Sequence, residues 1–162
     1  MLAAQTGQSE VMKLLLEKGA MAETKNESGQ TALMIAAQNG HLDAVRLLLK
    51  KGAIVNIQTK NSLTPLGRTE YGTTPLIYAA QNGNLEVVKL LLEKGAAVEA
   101  RTGNGVTPLM AAAQKGHIDV VNLLMQKSAN PQVVAEGMAA LQRAVKADKK
   151  EAADLLQLAG AK

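Results

Sequence analysis

Two histidines, His41 and His117, are the only side chains of this 162-residue chain whose ordinary titration range lies near neutrality, and there is no cysteine. Both stand just before an amphipathic run, at equivalent places in two segments separated by a third. With helices packing about 8–10 Å apart, such a pair is expected roughly 20 Å apart, too far to share a metal ion. The expected role of each is local hydrogen bonding at a helix start. Nucleophilic catalysis needs a base set against Ser, Thr or Cys, and neither His has an evident partner. Gly-x-Ser-x-Gly and P-loop patterns are absent, and Gly103-Asn104-Gly105 is a fragment of a phosphate loop at most. It falls where Asn-Gly makes a tight turn. No carboxylates pair on a shared inward face. The expectation is a chain that is not an enzyme, with no metal ligands and no cofactor.

Recognition is the remaining chemistry. Interface energy concentrates on Tyr, Trp and Arg, and the chain has two tyrosines and no tryptophan. Tyr71 and Tyr78, with Arg68 nearby, are therefore candidates for a binding hot spot. The alternative is that Tyr78 fills a gap between packed elements while Tyr71 lies along a long loop. Two tripeptides carry less. Thr69-Glu70-Tyr71 matches the phosphorylated triplet of one kinase class, but nothing else in the chain is kinase-like. Asn26-Glu27-Ser28 is a formal glycosylation triplet with no secretory segment to support it.

The elements that carry these residues follow from composition and period. Hydrophobic residues make up 47% and aromatics 1%, so the core must be built from Leu, Val, Ile, Met and Ala. That suits closely packed helices better than a β-sandwich. Net charge is +4, but acidic and basic residues are interspersed, and nucleic-acid binding wants a concentrated basic stripe. No apolar run approaches the roughly 20 residues of a membrane span. The absence of cysteine favours a reducing compartment, and the cytoplasm is the expected location.

Three markers recur with one spacing. Ala-Ala-Gln begins at 3, 36, 79 and 112; Lys-Gly-Ala at 18, 51 and 94; Thr-(Ala/Pro)-Leu, where an Ala-rich run follows it, at 31, 74 and 107. The steps are 33 residues, except for one of 43. Within each unit Thr is a natural N-cap and Pro is tolerated in the first turn. An Ala-rich helix follows, closed by Gly40, Gly83 or Gly116. A second helix then places polar residues at 10, 13 and 17; 43, 46 and 50; 86, 89 and 93; 119, 122 and 126. This spacing makes one solvated stripe, with Leu42, Val45, Leu48, Leu49 and their counterparts on the opposite face.

These residues resemble the ankyrin repeat family over the whole chain. The runs Gly29–Ala53 and Gly72–Ala96, with Thr-Pro-Leu and Leu-Leu-Leu-x-x-Gly-Ala at 33-residue spacing, carry the resemblance. It implies an all-α solenoid of about five helix–turn–helix units with β-hairpin loops, as a single domain over 1–162. The units are read as 1–28, 29–61, 72–104, 105–136 and a C-terminal cap at 137–162. One departure is consistent. The His that follows Thr-Pro-Leu in the family is Met34, Ile77 and Met110 here, so apolar packing is expected in its place.

Ten extra residues, Ser62–Tyr71, account for the long step and fall at a loop tip. Lengthening a loop costs little, because closure entropy grows only logarithmically. The first unit aligns Met1 with Met34, so it is read as truncated, leaving Leu2, Met12, Leu15 and Leu16 near an uncovered face. The resemblance implies another protein as partner, held by loop tips and the exposed side of the first helices, the concave face. Position by position, that gives Glu27, Ser28, Gln30, Gln38 and Asn39; Glu70, Tyr71, Thr73, Gln81 and Asn82; and Gly103, Asn104, Val106, Gln114 and Lys115. Gln5, Gln38, Gln81 and Gln114 form a row of one residue type, although Gln is also simply a good exposed helix former. Two alternatives stay open: a structural or self-associating segment of a larger array, and an engineered binding scaffold. The irregular insert and the degenerate fifth unit argue against the last.

Overall fold

A computed structural model describes residues 1–59 and 72–127. Within them eight α-helices follow in pairs: α1 (Leu2–Gln5) and α2 (Ser9–Glu17), α3 (Ala32–Gln38) and α4 (Leu42–Lys50), α5 (Pro75–Gln81) and α6 (Leu85–Glu93), α7 (Pro108–Lys115) and α8 (Ile118–Lys127). No strand occurs among the described residues. The insert 62–71, with Arg68, Glu70 and Tyr71, and the fifth unit lie outside them.

The first helix of each pair from unit two onward starts the same way. Thr31, Thr74 and Thr107 are extended, and each hydroxyl accepts from the backbone N–H three residues on: Met34 at 3.4 Å, Ile77 at 3.3 Å, Met110 at 3.3 Å. This satisfies one of the free donors of the first turn. Pro75 and Pro108 occupy that turn, where a missing N–H is harmless. All three threonines are buried, so the cap is part of the interior. Met34, Ile77 and Met110 are buried as well, in keeping with the apolar packing expected in place of a histidine. Met34 adds a weak contact: its sulfur receives the Thr31 N–H at 3.5 Å.

Packing follows from residue size. Ala36-Ala37, Ala79-Ala80 and Ala112-Ala113 are fully enclosed, and small side chains let α3, α5 and α7 approach one another closely. The second helices stack in a parallel row, α2 on α4, α4 on α6 and α6 on α8. Val45 and Leu48, Val88 and Leu91, Val121 and Leu124 fill the space between the rows. One hydrophobic cluster runs through all four described units. Each buried Leu or Val contributes about 1.5–3 kcal/mol relative to exposure. The polar stripe of the second helices faces outward, as its spacing requires. Its single ion pair among the described residues, Lys89 with Glu86, is exposed and contributes little.

The loops between units are closed by a three-bond clasp. Asn26 N–H donates to Gln30 O (2.9 Å), Gly29 N–H to Asn26 O (2.9 Å), and Gln30 N–H to the Asn26 side chain (2.8 Å). Thr102 makes the same set with Val106 and Gly105, at 3.0, 2.8 and 3.0 Å. Thr59 makes it with Thr73 and Gly72, at 3.1, 3.0 and 3.0 Å. The first two clasps join residues three apart (26 to 29, 102 to 105), and the third joins residues thirteen apart (59 to 72). Pairing ends at the clasp, so the expected hairpins carry no strand ladder among the described residues.

Candidate functional site

The residues expected to face a partner fall into three groups. Gln81, Asn82, Gln114, Lys115 and Asn39 are exposed on the last turns of the first helices or just beyond. Glu27, Ser28, Gly103 and Asn104 are exposed at two loop tips. Gln30, Gln38 and Val106 are half-buried. In unit two a side-chain relay joins tip to helix: Asn26 Nδ2 donates to Gln30 Oε1 at 3.2 Å, and Gln30 Nε2 to Gln38 Oε1 at 3.3 Å. The relay fixes the rotamer of Gln38 and lowers the ordering cost of any contact it makes. Val106 holds the place of Gln30 in unit four and has no polar group to extend such a relay. Asn39 and Asn82 have each committed one amide hydrogen to the helix they end, donating to Ile35 O and Tyr78 O.

Two expected contact residues are corrected. Tyr78 is only 7% exposed and Thr73 only 5%. Tyr78 shares its register with Leu2, Ile35 and Ala111. Ile35 and Ala111 are buried and Leu2 is 74% exposed. The position is buried in each of the three units that follow the first, Tyr78 included. Its burial favours the packing reading of Tyr78. Thr73 faces inward because its backbone closes the clasp with Thr59.

Both histidines also differ from expectation. His41 stands at the N-cap of α4, yet its side chain makes no capping hydrogen bond there. His41 Nε2 lies 2.9 Å from Gln5 O, and His117 Nε2 lies 3.1 Å from Gln81 O, each a carbonyl of the preceding unit. A carbonyl only accepts, so Nε2 carries the proton in both. Asn84 holds the same register at the middle junction and donates to Ala37 O (2.8 Å) and Gln38 O (2.9 Å). A polar side chain at this position thus ties each unit to the one before it. The approach is close enough to require glycine beneath. A Cβ on Gly83 would lie 2.5 Å from His117 Nδ1, and one on Gly40 2.8 Å from Asn84 Oδ1, and both glycines have positive φ.

A second set of ties, which sequence reasoning missed, joins the loops. Asn56 accepts from Ala97 N–H (2.8 Å) and donates to Gly95 O (3.0 Å). Glu23, at the same register one unit earlier, accepts from Ile54 N–H (2.9 Å). Lys25 Nζ donates to Gln58 O at 2.9 Å. The 33-residue register of Glu23 with Asn56 was the available signal; partners 31 to 41 residues away were not visible in it. Among the described residues, no group of three His, Asp or Glu side chains could hold a metal ion, and no helix is long and apolar enough to cross a membrane.

Helix pairs that open alike and pack each against the next define a helical solenoid, a class whose members couple neighbour to neighbour. The model of ankyrin repeats (three copies) matches residues 1–102, 59–135 and 97–162, which together span the chain. The chain belongs to the ankyrin repeat family. Ankyrin repeats are generally protein–protein interaction modules, typically without enzymatic activity. No match was found among curated proteins.

Proposed function

We propose that the chain binds another protein through the face formed by its first helices and loop tips, including the elongated loop at 62–71. The observation that carries this reading is the polar row Gln38/Asn39, Gln81/Asn82 and Gln114/Lys115, repeated at one register on a stiff backbone. The row is exposed or half-exposed while the residues just before it, such as Ala80 and Ala113, are enclosed. The mechanism is preorganisation. Side chains held by a stacked scaffold lose little freedom on binding, so more of the contact energy survives as affinity. Arg68, Glu70 and Tyr71 are the proposed contributions of the long loop, and Asn104 and Val106 those of the next loop. No catalytic step, cofactor, nucleic acid or membrane enters this reading, and a cytoplasmic setting is consistent with a chain free of cysteine.

Affinity capture with four forms tests it: the unaltered chain, a deletion of Ser62–Tyr71, the quadruple variant Gln81→Ala/Asn82→Ala/Gln114→Ala/Lys115→Ala, and the outer-stripe control Glu86→Ala/Lys89→Ala. The expected result is a protein retained by the unaltered chain and the control and lost by the other two, with unchanged helical circular dichroism in all four. Equal retention by all forms, or loss in the control alone, would discard the proposal.

A further inference from the structure

Asn is followed by Gly three times in the chain, at 39–40, 82–83 and 104–105. The pairing has a chemistry of its own. A glycine nitrogen has no adjacent side chain to shield it, and it can attack the side-chain carbonyl carbon of the asparagine before it, closing a five-membered ring. All three asparagines are exposed, so exposure does not separate them. Their backbones do. Asn39 and Asn82 end α3 and α5 with ψ of 1° and 3°, and each gives an amide hydrogen to its helix, to Ile35 O (2.8 Å) and Tyr78 O (2.9 Å). Ring closure needs ψ to swing well away from such values. That swing breaks the bonds that follow: Gly40 N–H to Ala37 O and His41 N–H to Ala36 O, or Gly83 N–H to Ala80 O and Asn84 N–H to Ala79 O. Gly40 and Gly83 are also hemmed in by Asn84 and His117 of the next unit, at 2.8 and 2.5 Å from where a Cβ would stand. Asn104 is at a loop tip instead. Its amide has no hydrogen-bond partner among the described residues, one clasp bond to Thr102 O (2.8 Å) holds the Gly105 nitrogen, and nothing lies within 4 Å of where a Gly105 Cβ would stand.

We propose that Asn104 is a self-modification site, deamidated by its own chain while Asn39 and Asn82 are protected by the stack. The Gly105 nitrogen bonds to Asn104 Cγ and the Cγ–Nδ2 bond breaks. The proton of the attacking N–H leaves with the amide nitrogen as ammonia. Water then opens the ring. Opening at the main-chain carbonyl leaves isoaspartate, which lengthens the backbone by one carbon, and opening at Cγ leaves aspartate. Water is the only co-reactant, and nothing is oxidised or reduced. Either product puts a carboxylate on the uncharged tip Gly103-Asn104, as Glu27 does at the other described tip. The reaction stands apart from the partner-binding reading; where that reading holds, the charge of one contact residue changes with time.

The test is to incubate the unaltered chain in mildly alkaline buffer, then digest it and follow each Asn-Gly peptide by mass spectrometry. Electron-transfer fragmentation separates isoaspartate from aspartate. Asn104 is expected to convert at least about tenfold faster than Asn39 or Asn82, because only those two must first open a helix end. In concentrated urea, where the fold is lost, the three pairs are expected to convert at similar rates. The urea arm separates the effect of the fold from that of local sequence. Conversion of Asn39 or Asn82 as fast as Asn104 in the folded chain, no conversion at Asn104, or a rate ratio that survives in urea would each overturn the proposal.

Discussion

His117 and Gly83 act as one device, a ring resting on a residue that has no side chain to obstruct it. Gly83→Ala forces a Cβ into that contact and an unfavourable positive φ, so a loss of more than about 1 kcal/mol is expected, read as a lower urea midpoint at unchanged slope. His117→Ala removes only the hydrogen bond and is expected to cost about 0.5–1.5 kcal/mol. Glu23 offers the opposite case. One of its carboxylate oxygens is buried without a hydrogen-bond partner, whereas Asn56 at the same register both accepts and donates. Glu23→Asn is expected to raise the urea midpoint, because leaving a buried polar atom unpaired costs about 1–3 kcal/mol. None of this was legible beforehand. A histidine before an amphipathic run looks like a cap, and only the stacked neighbour, 36 residues away, reveals the carbonyl it serves. Tyr78 misled for the same reason: aromatic character suggests an interface, but its environment is decided by the unit in front of it.

Caps and apolar stripes were the elements most open to reading. Thr-x-Leu at fixed spacing, with an Ala-rich run behind it, contains both the start of a helix and the reason its neighbours come close. Thr107→Ala, which removes a fully buried cap, is expected to lower stability by about 1 kcal/mol in thermal unfolding. Equivalent leucines should respond unequally. Leu91→Ala empties a fully enclosed site and is expected to cost about 2–5 kcal/mol, whereas exposed Leu14→Ala should change the stability of dilute protein by less than about 0.5 kcal/mol. Of the residues expected near an uncovered face, Leu2 and Leu15 are exposed, Leu16 is half-buried and Met12 is buried, because helix phase decides which residues look forward and which look down.

Among the described residues, contacts between helices run from each pair to the next, so stability is expected to vary along the stack. Amide hydrogen exchange in dilute solution should rank α1 and α2 least protected and α5 and α6, covered on both sides, most protected; uniform protection would contradict neighbour-to-neighbour coupling. The repeat period, and with it the architecture, was readable from three short markers. The partner-facing row was readable only as a register, because exposure of Gln81 or Gln114 says where a guest can rest and not what the guest is.

The clasp at Thr59, Gly72 and Thr73 has a consequence of its own. It locks the same way whether its ends lie three or thirteen positions apart along the backbone. A peptide spliced between them is expected to leave the helices undisturbed, which makes this point a ready socket for foreign sequences. New specificities could be installed there by exchanging one short cassette.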